Sequence, residues 1–231
     1  MSITLFGTCR LDKIANHNNL NNEINYTHST KEIIQLIKFL QGERLIPEPY
    51  NILCFRTAIC NNKSISFKQK YNELFMNSEI CIIEICSNKK YIHNGYYLHH
   101  LPFDKKWHEF NHSNFVRVVP ENILNEIVIE KQCEKEIECD IIEIRKMLYP
   151  RKIVIVSHYN SKINDEYIIS RNNLINVLEN ICKKHDIHFI NPTIVLSHLE
   201  QSEAMTSDLG HYTERGIIEF SNFMNQYIKS L

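Results

Sequence analysis

Glycine is scarce in this sequence, which has only 5 glycines among its 231 residues. The loops that bind dinucleotides and nucleotide phosphates are rich in glycine, with the patterns G-x-G-x-x-G and G-x-x-x-x-G-K-[ST]. Neither pattern occurs in the chain. This absence argues against nucleotide-dependent enzymes of those two classes.

Long apolar runs and a strong charge of one sign are also missing. No apolar run approaches the about 18 residues of a membrane span, and the first residues form a strand-like run instead of a secretion signal. The formal net charge is -1, and no long run of lysines and arginines is present to attract nucleic acid or an anionic membrane. We therefore predict a cytoplasmic protein with no membrane span and no nucleic-acid partner.

Paired cysteines and the usual metal motifs are absent as well. None of the 8 cysteines forms a C-x-x-C pair, and most lie in apolar runs, where a free thiol behaves as a small hydrophobic side chain. Without a secretion signal, we expect these thiols to be reduced. His108 and His112 have the spacing of two ligands on one helix, but no H-E-x-x-H motif accompanies them. We predict no metal and no bound cofactor, with metal-dependent hydrolysis through this segment as an alternative.

Buried strand-like runs alternate with amphipathic helical patterns along the chain. The pattern predicts strands over 3–8, 50–55, 80–86, 152–156 and 187–190, and helices over 29–40, 67–76, 121–148, 167–184 and 214–231. Such alternation is typical of a parallel sheet that is covered by helices on both faces. We predict a three-layer α/β fold with a doubly wound, five-stranded, flavodoxin-like parallel sheet.

One segment departs from this alternation. Asn94-Gly95, flanked by aromatic and β-branched residues, is typical of a β-hairpin turn. We therefore predict a single domain over residues 1–231 with a hairpin and irregular excursion at about 89–120. The aromatic residues of the excursion either pack on the domain or line a carbohydrate groove. The predicted helix over 121–148 either belongs to the core or offers a face for a homo-oligomer.

Two stretches at opposite ends of the chain carry side chains with chemical potential. Cys9 follows an apolar strand and Gly7, which is how open α/β sheets place a nucleophile at the carboxyl ends of their strands. Asp208 stands three residues before His211, in a loop that precedes the last predicted helix. At this spacing a carboxylate can hold an imidazole while the other ring nitrogen faces the nucleophile. We predict that Cys9 attacks, His211 moves the proton and Asp208 orients His211.

Together these stretches resemble the SGNH (GDSL) hydrolases. Asp208-x-x-His211 is similar to the last block of that family, and Gly7-Thr8-Cys9-Arg10 occupies the place of its G-D-S-L block. Cys9 stands where the family has Ser, and Thr8 stands where it has Asp. A Cys in this place is similar to a branch linked to capsule-polysaccharide acetylation. The resemblance therefore implies acyl chemistry on a sugar more than lipid hydrolysis.

The resemblance also implies an oxyanion hole supplied by the middle of the chain. Asn160, after the fourth predicted strand, is a candidate for the Asn of the family, and Ser87, after the third, is a candidate stand-in. Further candidates for contacts with an anionic or sugar substrate share a basic side chain near a predicted strand or helix end: Arg10, Arg56, Arg171 and His28.

Each of these residues also has a structural explanation. Cys9 fits a buried thiol at a strand end, and His211 or Asp208 fits a helix cap or turn. Arginines at such positions commonly form structural ion pairs. These alternatives stay open from the sequence alone, although the placements of Cys9, His211 and Asp208 agree with one another.

The predicted function is acyl transfer through a Cys-His-Asp site. A thiolate that attacks an acyl donor forms a thioester, which passes its acyl group to a hydroxyl, an amine or water. We expect an O-acetyltransferase or esterase that acts on a glycan or similar small hydroxylated substrate, with an acyl donor such as acetyl-CoA. The alternative is a catalytically inactive glycan-binding or assembly module with the same fold.

Overall fold

The computed structural model describes residues 2–18, 26–61, 75–103 and 119–231. Residues 67–74 of a predicted helix, and the segment with Trp107, His108 and His112, lie outside the described residues. The chain divides into two compact units. The first comprises Met1–Ile24, Ser78–Ser87 and Leu148–Leu231, and the second comprises Asn25–Asn77 and Asn88–Met147. The prediction that residues 1–231 form one domain stays a prediction.

The strands and helices of the described residues are numbered here in chain order. The strands are β1 (Ile3–Phe6), β2 (Ile80–Ile85), β3 (Lys89–His93), β4 (Tyr96–Tyr97), β5 (Val128–Lys131), β6 (Lys152–Ser157), β7 (Lys162–Ile163), β8 (Glu166–Tyr167) and β9 (His188–Ile190). The helices are α1 (Cys9–His17), α2 (Thr30–Leu40), α3 (Tyr50–Leu53), α4 (Arg56–Asn61), α5 (Glu121–Glu126), α6 (Glu134–Leu148), α7 (Ile169–Lys184), α8 (Pro192–Val195), α9 (Gln201–Ala204) and α10 (Glu214–Ser230).

The first unit is built on a parallel sheet with the strand order β1-β2-β6-β9. Phe6 of β1 lies opposite Ile83 of β2, which in turn lies opposite Ile155 of β6. Every residue of β2 is buried, as expected for a strand that is covered on both faces. Because all four strands are parallel, their carboxyl ends meet at one edge of the sheet, where open α/β sheets bind ligands.

Helices on the two faces of the sheet give the predicted layered architecture. One buried cluster joins Leu5, Ile82 and Val154 of the sheet to α1 and α10, through side chains such as Ile14 and Phe220. Helix α7 packs against β6 and β9, and none of its residues belongs to that cluster. We place α7 on the opposite face, so the unit has the helix–sheet–helix layers of an α/β fold.

The second unit contains an antiparallel sheet with the order β4-β3-β5. Asn94 and Gly95 join β3 to β4 with φ angles of 48° and 77°, which is the backbone of a tight hairpin turn. The predicted hairpin is therefore confirmed. Helix α2 begins where the sequence predicts, because the Ser29 side chain accepts a hydrogen bond from the Glu32 N–H.

The predicted strand over 50–55 is wrong, because these residues begin with the short helix α3. Pro49 lies at its start with φ of -85°, and its carbonyl accepts the N–H of Leu53 at 3.2 Å. Proline fixes φ near the helical value and so favours the first turn of a helix. The sheet of the first unit consequently has four strands among the described residues, where the sequence predicts five.

The predicted continuous helix over 121–148 is also wrong. Helix α5 ends at Glu126, the strand β5 follows, and α6 starts at Glu134. The β-branched run Ile127-Val128-Ile129 explains the break, since such residues favour strands and here pair with β3. The expected homo-oligomer therefore lacks the single helical face on which it was based, and it stays a prediction.

None of the described helices combines the length and the apolar character that a membrane crossing requires.

Gly216 allows α10 to approach the end of α9 closely. A Cβ atom at Gly216 would lie 2.2 Å from the carbonyl oxygen of Ala204, and this oxygen belongs to the backbone. Thr213 caps α10 by accepting the Gly216 N–H at 3.0 Å. The first turn of α10 is therefore fixed against α9, directly after the loop that contains His211.

We predict that Gly216→Ala destabilises the protein by about 1–3 kcal/mol because of this overlap. The sign is informative, since alanine normally favours a helix over glycine by about 1 kcal/mol. Urea unfolding measures the free energy. The control is Asn222→Ala, on the exposed face of the same helix, which should be neutral or slightly stabilising. A Gly216→Ala protein as stable as the wild type would contradict the close approach.

Candidate active site

Cys9 is the first residue of α1, directly after the turn that ends β1. Thr8 caps this helix by accepting the Arg10 N–H at 3.3 Å. A Cβ atom at Gly7 would lie 2.8 Å from Leu11 Cδ2 and 3.0 Å from Glu84 Cβ, so only glycine fits this turn. The thiol of Cys9 is half-buried and lies at a helix N-terminus, where free N–H groups favour negative charge.

His211 and Asp208 lie beside this thiol. The Nε2 atom of His211 is 3.2 Å from Cys9 Sγ, although 202 residues separate the two in sequence. The Nδ1 atom of His211 is 2.6 Å from Asp208 Oδ2. With Nδ1–H donating to the carboxylate, Nε2 is the acceptor that faces the thiol, which is the arrangement of a nucleophile, a base and an orienting group.

Asp208 is held rigidly as an anion. Its Oδ1 atom accepts hydrogen bonds from Thr206 Oγ1 at 2.7 Å, from the Gly210 N–H at 2.7 Å and from the His211 N–H at 3.1 Å. Desolvation opposes ionisation, but the hydrogen bonds from Thr206, Gly210 and the His211 ring hold the pKa of Asp208 well below its usual range. The sequence also suits Asp208 to a structural role in a turn. That turn is present, and its hydrogen bonds orient the same carboxylate.

Glu84 binds the residues on both sides of Cys9, and it is not among the site residues predicted from the sequence. The Oε2 atom of Glu84 accepts from the Thr8 N–H at 2.8 Å and from Thr8 Oγ1 at 2.6 Å. Its Oε1 atom accepts from Arg10 Nε at 2.9 Å. Glu84 is 3% exposed, so its carboxyl group is buried near the carboxyl end of β2, where Thr8 and Arg10 donate to both of its oxygens. The sequence does contain a signal for such a role, because Glu84 is the one charged residue in the apolar run 80–85.

Arg10, one of the predicted substrate ligands, joins two parts of the site. Its guanidinium group is buried, pairs with Glu84 at 2.8 Å and donates from Nη1 to the Gly210 carbonyl at 3.0 Å. Burial would lower the pKa of Arg10, but the neighbouring Glu84 carboxylate raises it. Arg10 therefore ties the nucleophile turn to the loop that carries His211, and its contact with a substrate stays a prediction.

A second arginine holds the same loop from α7. Arg171 Nη1 donates to the Leu209 carbonyl at 2.7 Å and to Ser161 Oγ at 3.2 Å. Leu209 has φ of 55°, a left-handed conformation that a leucine adopts only when its surroundings impose it. Two neighbouring carbonyls of this loop are thus bound by two arginines, which explains how the strained conformation persists. The predicted contact of Arg171 with a substrate stays a prediction.

Asn160 and Ser87 lie at the same edge of the sheet as Cys9. The Asn160 side chain donates from Nδ2 to Asn172 Oδ1 at 3.0 Å, and its backbone N–H donates to Thr193 Oγ1 at 2.7 Å. Its Oδ1 atom is buried and has no hydrogen-bond partner among the described residues. Ser87 follows β2 by two residues and is half-buried. Their roles in an oxyanion hole stay predictions.

A cavity opens beside the loop, at the ends of β6 and β9. Its volume is about 530 Å³. Its walls are mostly polar and include two tyrosines, and the lining residues are Tyr159, Asn160, Lys162, Asn164, Asp165, Tyr167, Thr193, Ser197, Leu199, Glu200 and Gln201. Ser161 joins this wall to the loop by donating from Oγ to the Leu209 carbonyl at 3.3 Å. Tyrosine faces with amide and carboxylate groups suit a ligand rich in hydroxyls.

Arg56 and His28, the other two predicted substrate ligands, belong to the second unit. The guanidinium carbon of Arg56 lies 4.3 Å from the ring centroid of Tyr26. The His28 ring contacts His99 and His100, with centroids 4.8 Å and 4.5 Å away. Their assignment to the site of Cys9 stays a prediction.

We predict that Arg10 and Glu84 act as a coupled pair. Arg10→Met should cost about 3–5 kcal/mol in stability, because it leaves the Glu84 carboxylate buried without its counter-charge. Adding Glu84→Gln should restore part of this loss, with a coupling of about 0.5–3 kcal/mol in urea unfolding. The partly exposed pair Lys38 and Glu143, 2.7 Å apart, is the control, with an expected coupling under about 1 kcal/mol. Additive effects of the Arg10 and Glu84 substitutions would refute this role.

Comparisons with known proteins add relatives of two kinds. The chain is 24% identical over 222 residues to the Vi polysaccharide biosynthesis protein TviD of Salmonella typhi, which covers 82% of this chain and 26% of that protein. The chain thus spans about a quarter of the length of this curated relative.

Solved structures similar to the chain include a lipase and an esterase. One is a GDSL-like lipase from Bacteroides thetaiotaomicron, with 10% identity, a TM-score of 0.47 and coverage of 99% of this chain and 88% of the other. Another is a catalytic mutant of the acetylxylan esterase Axe2 from Geobacillus stearothermophilus, with 11% identity, a TM-score of 0.45 and coverage of 97% and 92%.

A family model covers nearly the whole chain. The model described as the TviD N-terminal domain matches residues 1–117 and 115–228. The chain belongs to the TviD N-terminal domain family.

Proposed function

We propose that this chain transfers an acyl group through a thioester on Cys9, to or from a hydroxyl group of a glycan. The observation that supports this most directly is the contact of 3.2 Å between Cys9 Sγ and His211 Nε2, with Asp208 on the other ring nitrogen at 2.6 Å. A thiol, an imidazole and a carboxylate in this order can perform nucleophilic acyl chemistry without a cofactor.

The first half of the reaction loads the acyl group onto the enzyme. His211 Nε2 takes the proton of the Cys9 thiol, and the sulfur attacks the acyl carbon of the donor. The oxygen of the tetrahedral intermediate is stabilised by N–H groups at the start of α1, where donors are already oriented. The donor's leaving group departs with the proton from Nε2, and the thioester remains on Cys9.

The second half transfers the acyl group and restores the thiol. A hydroxyl of the acceptor gives its proton to His211 Nε2 and attacks the thioester carbon. The bond from sulfur to carbon breaks, and the Cys9 thiolate regains the proton from Nε2. Asp208 stabilises the positive charge of the ring in both halves, because hydrogen bonds keep its carboxylate ionised. With water in place of the acceptor, the same steps make an esterase.

The glycan acceptor is supported by the cavity and by the name of the curated relative. That relative is a polysaccharide biosynthesis protein. In this chain the cavity is lined by Asn160, Tyr159 and Tyr167, whose amide and aromatic groups suit a sugar ring with its hydroxyls. We therefore assign the cavity to the hydroxylated substrate, with an acetyl group from a donor such as acetyl-CoA as the acyl group expected from the sequence.

We predict an acetyl adduct on Cys9 when the protein is mixed with an activated acetyl ester. Intact-mass spectrometry should show the mass of one added acetyl group, and peptide mapping should place it on Cys9. The adduct should be lost in Cys9→Ala. It should form at least about 100-fold more slowly in His211→Ala, since general-base catalysis contributes about 10²–10⁴-fold.

The control for this experiment is Cys133→Ala, which removes an exposed thiol and should leave the adduct unchanged. Acetylation of Cys133 but not of Cys9 would contradict the proposal. Absence of any adduct and of ester turnover would favour the alternative function, an inactive glycan-binding or assembly module.

We predict that Tyr167→Ala separates the two halves of the reaction. The rate of adduct formation on Cys9 should stay within about twofold, because Tyr167 lines the acceptor cavity and takes no part in the contacts among Cys9, His211 and Asp208. Transfer to a glycan acceptor should lose about tenfold in kcat/KM, in line with about 1.4 kcal/mol for a stacked ring. Tyr149→Ala removes an exposed tyrosine elsewhere in the first unit and serves as the control. Equal transfer by both variants would exclude the cavity as the acceptor site.

A further inference from the structure

Unpartnered buried nitrogens concentrate at one place in the second unit. His28 Nδ1, Arg56 Nε and His99 Nε2 are buried and have no hydrogen-bond partner among the described residues. A buried polar atom without a partner costs about 1–3 kcal/mol, so several at one place point to a ligand. The three rings of this histidine cluster (His28, His99 and His100) contact one another, with centroids 4.5–4.8 Å apart.

The nitrogen of His99 is a donor. Its Nδ1 atom accepts the Leu101 N–H at 3.2 Å, so in the neutral ring the hydrogen resides on Nε2. His99 is completely buried. The Nε–H of Arg56 is likewise a donor without an acceptor among the described residues. Two such buried donors side by side point to a ligand that offers lone pairs.

The charges around the cluster favour an anion. Burial, His28 and Arg56 lower the pKa of His100 to about 3, with Lys89 acting in the same direction, and burial and the neighbouring rings hold the pKa of His99 well below its usual value. The rings of His99 and His100 are therefore neutral, and the positive charges of Arg56 and Lys89 act on the cluster. Glu32 is the opposing charge. Its Oε2 lies 3.6 Å from His28 Nδ1, and its oxygens already accept from the His28 N–H at 3.3 Å and Ser29 Oγ at 3.1 Å.

A metal ion is the rival ligand. One nitrogen from each of the three rings lies within 4.8 Å of the others, and three histidines are a common zinc set. A metal would need a lone pair on His99, but its Nδ1 lone pair is taken by Leu101 and its Nε2 carries the hydrogen. The positive charges of Arg56 and Lys89 would also repel a cation.

We propose that Arg56 and the histidine cluster form a binding site for a small oxyanion, a carboxylate or a phosphate group. Arg56 Nε–H and His99 Nε2–H donate to its oxygens, as charged and neutral donors do in many anion sites. His28, His100 and Arg56 are half-buried, so the cluster lies close to the surface. The proposal does not depend on the function proposed for Cys9.

Titration calorimetry on the whole chain tests this site. The probes are inorganic phosphate, acetate and glucuronate, with glucose as the uncharged control. We expect saturable binding of at least one oxyanion and none of glucose. Binding of phosphate alone identifies a phosphate site, and binding of acetate and glucuronate alone identifies a carboxylate site. No binding of any of the three overturns the proposal.

Variants locate the site. Arg56→Met keeps most of the side-chain length without the charge and should weaken binding at least tenfold. Arg44→Met is the matched control, because Arg44 belongs to the same unit and lies over the Tyr96 ring at 4.9 Å; it should change binding less than twofold. Equal weakening by both variants overturns the assignment to this cluster.

The ring resonances give a readout that needs no variant at the buried position. NMR of the histidine rings should show His99 shifting with oxyanion concentration, and His99→Gln, which keeps a donor N–H, should bind better than His99→Phe if both fold. Zinc titrated alone should leave the ring resonances of the cluster unchanged. Saturable zinc binding to these rings, with no response to oxyanions, would show a metal site and overturn the proposal.

Discussion

The carboxylate of Glu84 is the point at which the parts of the candidate active site are joined. It binds the backbone and side chain of Thr8 before Cys9 and the guanidinium of Arg10 after it. Through Arg10 it also reaches the Gly210 carbonyl, next to His211. A buried carboxylate is tolerated only when each of its oxygens is bound, and here both partners, Thr8 and Arg10, flank Cys9. Because Arg10 also binds the Gly210 carbonyl, the same buried pair holds the loop of His211 beside the thiol.

The loop of 206–211 adds a second constraint of the same kind. Asp208 uses one carboxylate oxygen for the backbone of its own turn and the other for the His211 ring. Leu209 adopts a left-handed backbone in this turn. Arg171 binds the Leu209 carbonyl, and Arg10 binds the Gly210 carbonyl. A catalytic ring needs a fixed orientation, and in this chain the two arginines hold the loop that orients His211.

The sequence predicts the part of this arrangement that topology alone determines. Cys9 follows the first parallel strand and His211 precedes the last helix, so the direction of the strands brings both to one edge. The positioning roles of Glu84 and Arg10 could not be predicted, because their partners are distant in sequence and a charge at a strand end has many uses. Local patterns failed where two structures suit the same residues: Tyr50–Leu53 is apolar enough for a strand, but Pro49 favours a helix, and Val128–Lys131 pairs with β3 inside a helical pattern.

The residues of the candidate active site and those of the second unit come from different segments of the chain. The second unit consists of residues 25–77, between α1 and β2 in sequence, and residues 88–147, between β2 and β6. Cys9, Glu84 and His211 therefore all come from the first unit, and so do the hydrogen bonds that position them. Glu84 lies on β2, and Cys9 follows β1, so the parallel sheet positions both. A change at Glu84 therefore affects the turn before Cys9 directly and the loop of His211 through Arg10.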